Sequence, residues 1–170
     1  MDRQVVESNI YLIGMMGSGK TTVGRLLAEK LDYGFFDIDV AIEKLTRKTI
    51  TEIFATEGEA EFRELESQTL RKVSAYHRSV IATGGGIVQR PENWNYFRFG
   101  STIWLDADLN LLHRRLAQDQ SRPLVSQLES LLVTRCPLYA QANLHIVIKP
   151  EQTPADIVTE IIDLRTLRAS

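Results

Sequence analysis

The stretch GMMGSGKTTVGRLLAEKL, residues 14–31, crowds three glycines in front of a lysine, two threonines and an amphipathic pattern. Gly14, Gly19, Lys20 and Thr21 satisfy G-x-x-x-x-G-K-[ST]. The context also fits, because the apolar run NIYLI (9–13) precedes it and a helical stripe of Val23, Leu26, Leu27 and Leu31 follows. Glycines let successive backbone N–H groups turn inward around phosphate oxygens. A helix start adds unpaired N–H donors and the positive end of its dipole. Lys20 is then placed against the β- and γ-phosphates and the Thr21 hydroxyl on Mg²⁺. A plain strand-to-helix turn would need none of this chemistry, so the stretch predicts binding of a nucleoside triphosphate.

Outward from this loop, short apolar runs alternate with helical patterns. GFFDI (34–38), SVIAT (79–83), STIWL (101–105) and LHIVI (144–148) read as further strands. Most are almost wholly apolar, which favours strands covered on both faces. Leu65, Leu70 and Val73 mark one helix, and Leu109, Leu112 and Leu116 another, with Asp108 as its N-cap. Pro154 opens the last, with Ile157, Ile161 and Leu164 as its stripe, and TITE (49–52) fits a capping box. This order predicts an α/β fold with a five-stranded parallel sheet and right-handed crossovers. With 170 residues and no repeat or linker, residues 1–170 read as one domain.

Composition narrows the function classes. The net charge of −2 implies no general field for nucleic acid, so any bound anion needs a local set of donors. Cys136 is the single cysteine, which excludes an intrachain disulfide and fits a reducing compartment. No apolar run approaches the ~20 residues of a membrane span, and the first ten residues lack a signal-peptide core. The expected protein is cytoplasmic and monomeric, with no membrane or nucleic-acid partner.

Four further segments carry chemistry. In FFDIDVAIEKL the carboxylates of Asp37 and Asp39 are two residues apart and would share one side of an extended chain, at the strand end where an open α/β sheet binds its ligand. One could hold hydrated Mg²⁺ while the other accepts a proton; the alternative is a helix N-cap with a solvated neighbour. Gly84, Gly85 and Gly86 end the third strand and would let backbone amides approach a ligand, unless they form only a sharp turn. SRPL (121–124) and TRCPLY (134–139) each carry an arginine, the residue suited to bidentate carboxylate or phosphate contacts. Together these point to a small anionic acceptor beside the triphosphate.

The ordered set GMMGSGKTT, DIDVAIE, IFATEGEAEFRELE, GGG, RPL and RCPLY resembles the shikimate kinase family, over nearly the whole chain. The resemblance implies a three-layer P-loop kinase fold with a phosphate loop at 14–21, a substrate-binding segment at about 39–66 and a mobile lid at about 118–130. It implies transfer of the γ-phosphate of ATP, with Mg²⁺, to the 3-hydroxyl of shikimate, on the route to chorismate and the aromatic amino acids.

By position, the resemblance implies that Gly17, Ser18, Gly19, Lys20, Thr21 and Thr22 hold the nucleotide phosphates. Arg115 is implied on the nucleotide side near adenine, where Arg114 is an alternative, and Arg122 reaches the phosphates from the lid. Asp39 matches the aspartate that contacts the shikimate hydroxyls and accepts the proton; Asp37, with Thr21, matches the magnesium site. Arg63 and Arg135 match the arginines that grip the shikimate carboxylate, and Gly84, Gly85 and Gly86 match the substrate-facing glycine turn. Phe54 and Phe62 match aromatics against the ring, although ordinary helix-face burial explains each as well. Glu66 either orients Arg63 or is a simple helical i,i+3 pair. The ten residues between RPL and RCPLY, VSQLESLLVT, are shorter than the family's usual lid region. A lid too short to close would suit a non-catalytic nucleotide-binding relative, and a sister kinase acting on gluconate is the other alternative.

Overall fold

The computed structural model describes residues 8–117 and 125–169. Five parallel strands form one sheet: β1 (Ile10–Ile13), β2 (Gly34–Asp37), β3 (Ser79–Ala82), β4 (Ser101–Ala107) and β5 (Leu144–Ile148), in the order β2-β3-β1-β4-β5. The central strands read as expected from their composition: every residue of β1 and β3 is buried, so both faces of the sheet centre are covered. β5 lies at the edge and alternates, with Leu144, Ile146 and Ile148 inward and His145 and Val147 outward. The register aligns Ile10 with Val80 on one side of β1 and with Ser101 on the other.

The α-helices among the described residues are α1 (Lys20–Leu31), α2 (Ile38–Thr46), α3 (Ile50–Thr56), α4 (Gly58–Val73), α5 (Trp94–Phe97), α6 (Leu109–Leu116), α7 (Leu128–Tyr139) and α8 (Pro154–Ala169). The predicted start signals are present. The Asp108 carboxylate accepts from the Leu111 N–H at 2.8 Å at the start of α6. At α3 the Glu52 N–H donates to Thr49 Oγ1 at 3.2 Å and Glu52 Oε2 accepts from the Thr49 N–H at 2.7 Å, a complete capping box. The α1 stripe buries Val23 and Leu27 and packs α1 against β3 and α8, which in turn buries Ile157 and Ile161.

The structure corrects one expectation and adds a helix that the sequence reading did not assign. β2 ends at Asp37 rather than running on, because the Asp37 side chain accepts from the Val40 N–H at 3.1 Å and caps α2. Asp37 and Asp39 therefore do not share an extended chain: Asp39 stands in the first turn of α2. The segment TRCPLY closes α7, a helix that Pro137 hides from sequence reading. Proline in that last turn forfeits one main-chain bond, and Arg135 and Tyr139, four apart, share a buried face. Residues 118–124, with Arg122, lie outside the described residues; of the expected lid segment, Val125–Gln127 is a 3₁₀ turn and residues 128–130 begin α7.

Candidate active site

The strand order reverses at β1: the chain moves to β2 and β3 on one side and to β4 and β5 on the other. Ligands of open α/β sheets bind beyond the strand ends at such a point. Here a cavity of about 690 Å³ opens, lined by the phosphate loop, α2, α3, α4, the glycine turn after β3, and residues of α6, α7 and α8.

The phosphate loop is shaped by its backbone. Gly14 has φ of +142°, and a Cβ there would stand 2.5 Å from the Leu105 carbonyl oxygen, so only glycine fits. Gly19 caps α1 without a side-chain bond, which leaves first-turn N–H groups of α1 for an anion. Lys20 is buried and its Nζ donates to the carbonyls of Gly14 at 2.8 Å and Met15 at 2.7 Å, and to Ser18 Oγ at 3.4 Å. Thr21 Oγ1 donates to Asp37 Oδ2 at 2.5 Å, which joins the two residues expected at the metal site. Arg115 reaches over the loop, its Nη1 donating to the Gly17 carbonyl at 3.1 Å, and Thr22 also faces the cavity.

The opposite wall carries a buried charge cluster. Arg63, on α4, donates from Nη1 to Glu66 Oε2 at 2.5 Å and from Nη2 to Glu59 Oε1 at 3.1 Å. Burial works against the Arg63 charge, but the Glu66 and Glu59 carboxylates outweigh it and its proton is held more tightly than usual. Glu66 is 1% exposed, and burial pushes its carboxyl up to about 7 despite Arg63. Its Oε1 accepts no hydrogen bond.

Arg135, on α7, is also 1% exposed but has no carboxylate partner among the described residues. Its Nη2 donates to the neutral Gln89 Oε1 at 3.2 Å, its Nε has no acceptor, and burial lowers its affinity for its proton. Phe62 packs beside the cluster with its ring 4.9 Å from that of Phe54, and the Arg63 guanidinium lies 5.2 Å from the Phe62 centroid. Asp39 faces the same cavity from α2.

The three glycines after β3 act here through the room they leave. A Cβ on Gly84 would run into Glu66 Oε1 and lie 3.3 Å from Asp39 Oδ1. One on Gly85 would meet Arg135 Nη1 at 3.2 Å, and one on Gly86 would stand 2.5 Å from both terminal nitrogens of Arg63. Bare backbone is what allows both arginines and Glu66 to close on this turn. Tyr139 fastens it, its hydroxyl donating to the Gly85 carbonyl at 2.5 Å.

Every expected site residue that is described lines this one cavity. Sequence reasoning assigned no site role to Gln89, Tyr139 or Glu59, nor to Gln152, Pro154 and Ile157, which bring the start of α8 to this cavity. Tyr139 was signalled only by its i+4 spacing from Arg135, and Glu59 by its i−4 spacing from Arg63. Gln89 has no such local signal.

Comparison with known proteins agrees with this geometry. The family model for shikimate kinase matches residues 16–165. A curated shikimate kinase from Nostoc punctiforme is 53% identical over 162 residues, covering 92% of this chain and 90% of its own length. The chain belongs to the shikimate kinase family. The solved shikimate kinase from Acinetobacter baumannii, in complex with shikimate, superposes with a TM-score of 0.89 at 37% identity, over 95% of this chain and 94% of that one. A gluconokinase from Sinorhizobium meliloti, at 18% identity and a TM-score of 0.61, shares the fold alone. The P-loop kinase architecture and the family's kinase activity toward shikimate therefore hold for this chain.

Proposed function

We propose that this cavity places ATP on the phosphate loop and shikimate on the Arg63–Arg135 wall, so that the acceptor's 3-hydroxyl meets the γ-phosphate between them. The observation that carries the assignment of sides is Arg135: a fully buried guanidinium, its Nε without an acceptor and with no carboxylate bonded to it among the described residues, offers the contact that an acceptor carboxylate would make. The A. baumannii relative, solved with shikimate, supports the choice of acceptor. Arg63 offers the second half of the grip, and Phe54 and Phe62 flank the space where a carbon ring would lie.

Asp39 accepts the proton of the attacking hydroxyl, from the first turn of α2. Lys20 and the α1 N-terminal amides, with Gly17, Ser18, Gly19 and Thr22 around them, hold the β- and γ-phosphates, with their charge opposing that which spreads over the transferring group. Arg115, with Gln152 and Pro154 across the cavity, borders the nucleoside, and Arg122 belongs to the lid as the resemblance implies.

Thr21 and Asp37 suit a hard divalent cation: a hydroxyl and a carboxylate 2.5 Å apart are oxygen donors beside the phosphate site. Among the described residues no group of three or more acidic, histidine or cysteine side chains could hold a metal by itself. That fits Mg²⁺, which keeps waters and substrate phosphates in its shell. When bound, Mg²⁺ neutralises charge on the β- and γ-phosphate oxygens.

The lone cysteine supports a reducing, cytoplasmic setting and the net charge of −2 a protein acting on small molecules rather than nucleic acid, and we keep the expected monomer as part of this reading. None of the described helices is long and apolar enough to cross a membrane. The test is an ADP-release assay with and without shikimate. ADP should appear only with shikimate and one-for-one with its phosphorylated product. ADP release indifferent to shikimate would replace this reading with a non-catalytic or hydrolytic one.

A further inference from the structure

Four ionisable groups meet behind the glycine turn: Arg63 and Glu66 from α4, Asp39 from α2 and Arg135 from α7. With all four charged, the cluster is neutral, two cations against two anions. An acceptor carboxylate docking on the two arginines adds a negative charge to a space where Glu66 and Arg135 are each 1% exposed. Uncompensated charge in such a place is costly, so a group able to neutralise itself will do so.

We propose that Glu66 takes up a proton when an anionic acceptor binds to Arg63 and Arg135, so that binding of the acceptor is coupled to proton uptake from solvent. The inference rests on the assignment of this wall to the acceptor carboxylate. Geometry selects Glu66. Its Oε2 holds Arg63 Nη1, while its Oε1 is buried against Gly84 with no hydrogen-bond partner, next to Asp39 Oδ1. A proton on Oε1 removes the charge without disturbing the Oε2 contact that fixes Arg63. Glu66 is thus a positioning residue in both forms.

The free protein is already poised for this step. Burial raises the Glu66 carboxyl to about 7, Arg63 opposes that rise, Asp39 adds to it and Arg135 opposes it. Glu59 faces the cluster only through Arg63, whose Nη2 it accepts from. A ligand carboxylate draws on the same two guanidinium groups and adds a like charge, so both changes raise Glu66 further. At pH slightly above 7, Glu66 is mostly ionised in the free protein and mostly protonated in the complex.

The test is calorimetric titration of the full chain with shikimate at pH 7.5 in two buffers of different ionisation enthalpy. Uptake of roughly half a proton or more per shikimate is expected, and shikimate affinity should fall several-fold between about pH 6.5 and 8.5 by the same linkage. Glu66→Gln keeps an oxygen toward Arg63 but cannot titrate; its uptake should vanish and its affinity should become flat in pH. The wild-type pH dependence alone tests the coupling, should that variant not fold. Shikimate binding with no proton uptake, or uptake undiminished in Glu66→Gln, overturns the inference. If Arg63→Ala and Arg135→Ala bind shikimate as tightly as the wild type, the acceptor assignment itself fails, and this inference with it.

Discussion

Lys20 and Arg135 are buried cations facing one cavity, yet the molecule supports them differently. Lys20 folds back onto the carbonyls of Gly14 and Met15, so the phosphate loop satisfies its own lysine within seven residues of chain. Among the described residues no carboxylate bonds to Arg135; its Nη2 donates to the amide oxygen of Gln89, a contact that spans 46 positions. The phosphate loop is a local device whose charge is hydrogen-bonded before a ligand arrives. The proposed acceptor wall is assembled from distant segments and keeps a guanidinium with no carboxylate bonded to it among the described residues. A self-satisfied lysine can swing to a phosphate at little desolvation cost, since it is already surrounded by polar oxygens. A buried arginine with no carboxylate bonded to it favours an anionic ligand and disfavours a neutral one.

The sharpest break in that comparison is Lys20→Ala. A lost electrostatic contact to the transferring group is expected to cost roughly 10²-fold or more in kcat. The fold should persist, because the Nζ contacts are to carbonyls of the loop's own main chain and to Ser18 Oγ rather than to core side chains. Thermal unfolding beside steady-state kinetics would check both halves; near-wild-type turnover in a folded variant would remove Lys20 from the transition state.

Next in size is Arg135→Ala. A lost charged hydrogen bond is worth about 1.5–3 kcal/mol, or roughly 10- to 150-fold, and the loss should fall on the KM for shikimate rather than for ATP. Arg135→Lys should recover only part of it, because an ammonium lacks the planar fork. If removing Arg135 changed the KM for ATP as much, the division of the cavity into two sides would be wrong.

The last effect falls on stability rather than on catalysis. Glu66 has a folded value of about 7 against an ordinary carboxyl value of 4.5, so the native state binds the proton more tightly than the unfolded chain. Its contribution is therefore most favourable below about pH 4.5 and is lost as pH rises toward and through 7. Denaturant titrations of the ligand-free protein across that window should show this downward slope. Glu66→Gln should remove it, whatever the other carboxylates contribute to the wild type at low pH.

These three tests also follow a gradient in what the chain makes legible. The strands, the P-loop and the caps at Asp108 and Thr49 depend on near neighbours, and each stands within a residue or two of its expected place. DIDVAIE was misread because an extended chain and a first helical turn both bring Asp37 and Asp39 to the cavity. Only the bond from the Val40 N–H to Asp37 distinguishes them. The helix of TRCPLY was hidden by Pro137, whose local preference is overridden where Tyr139 is buried and its hydroxyl bonds to Gly85. The glycine turn was legible as a close approach. Its occupants, Glu66 and the two arginines, were not named as such by any spacing.

What the sequence by itself determined is whatever local chemistry encodes: a phosphate loop between strand and helix, five strands in order, and the family to which the chain belongs. Backbone φ preferences, hydrophobic period and capping act over a few residues, so they can be read along one. The tertiary structure alone decided that Arg63 is shared between two carboxylates while Arg135 bonds to none among the described residues, and that Glu66 is sealed behind Gly84 with one oxygen idle. Desolvation and pairing depend on which groups meet across the fold after α2, α4 and α7 have packed, and no stretch of chain carries that information alone.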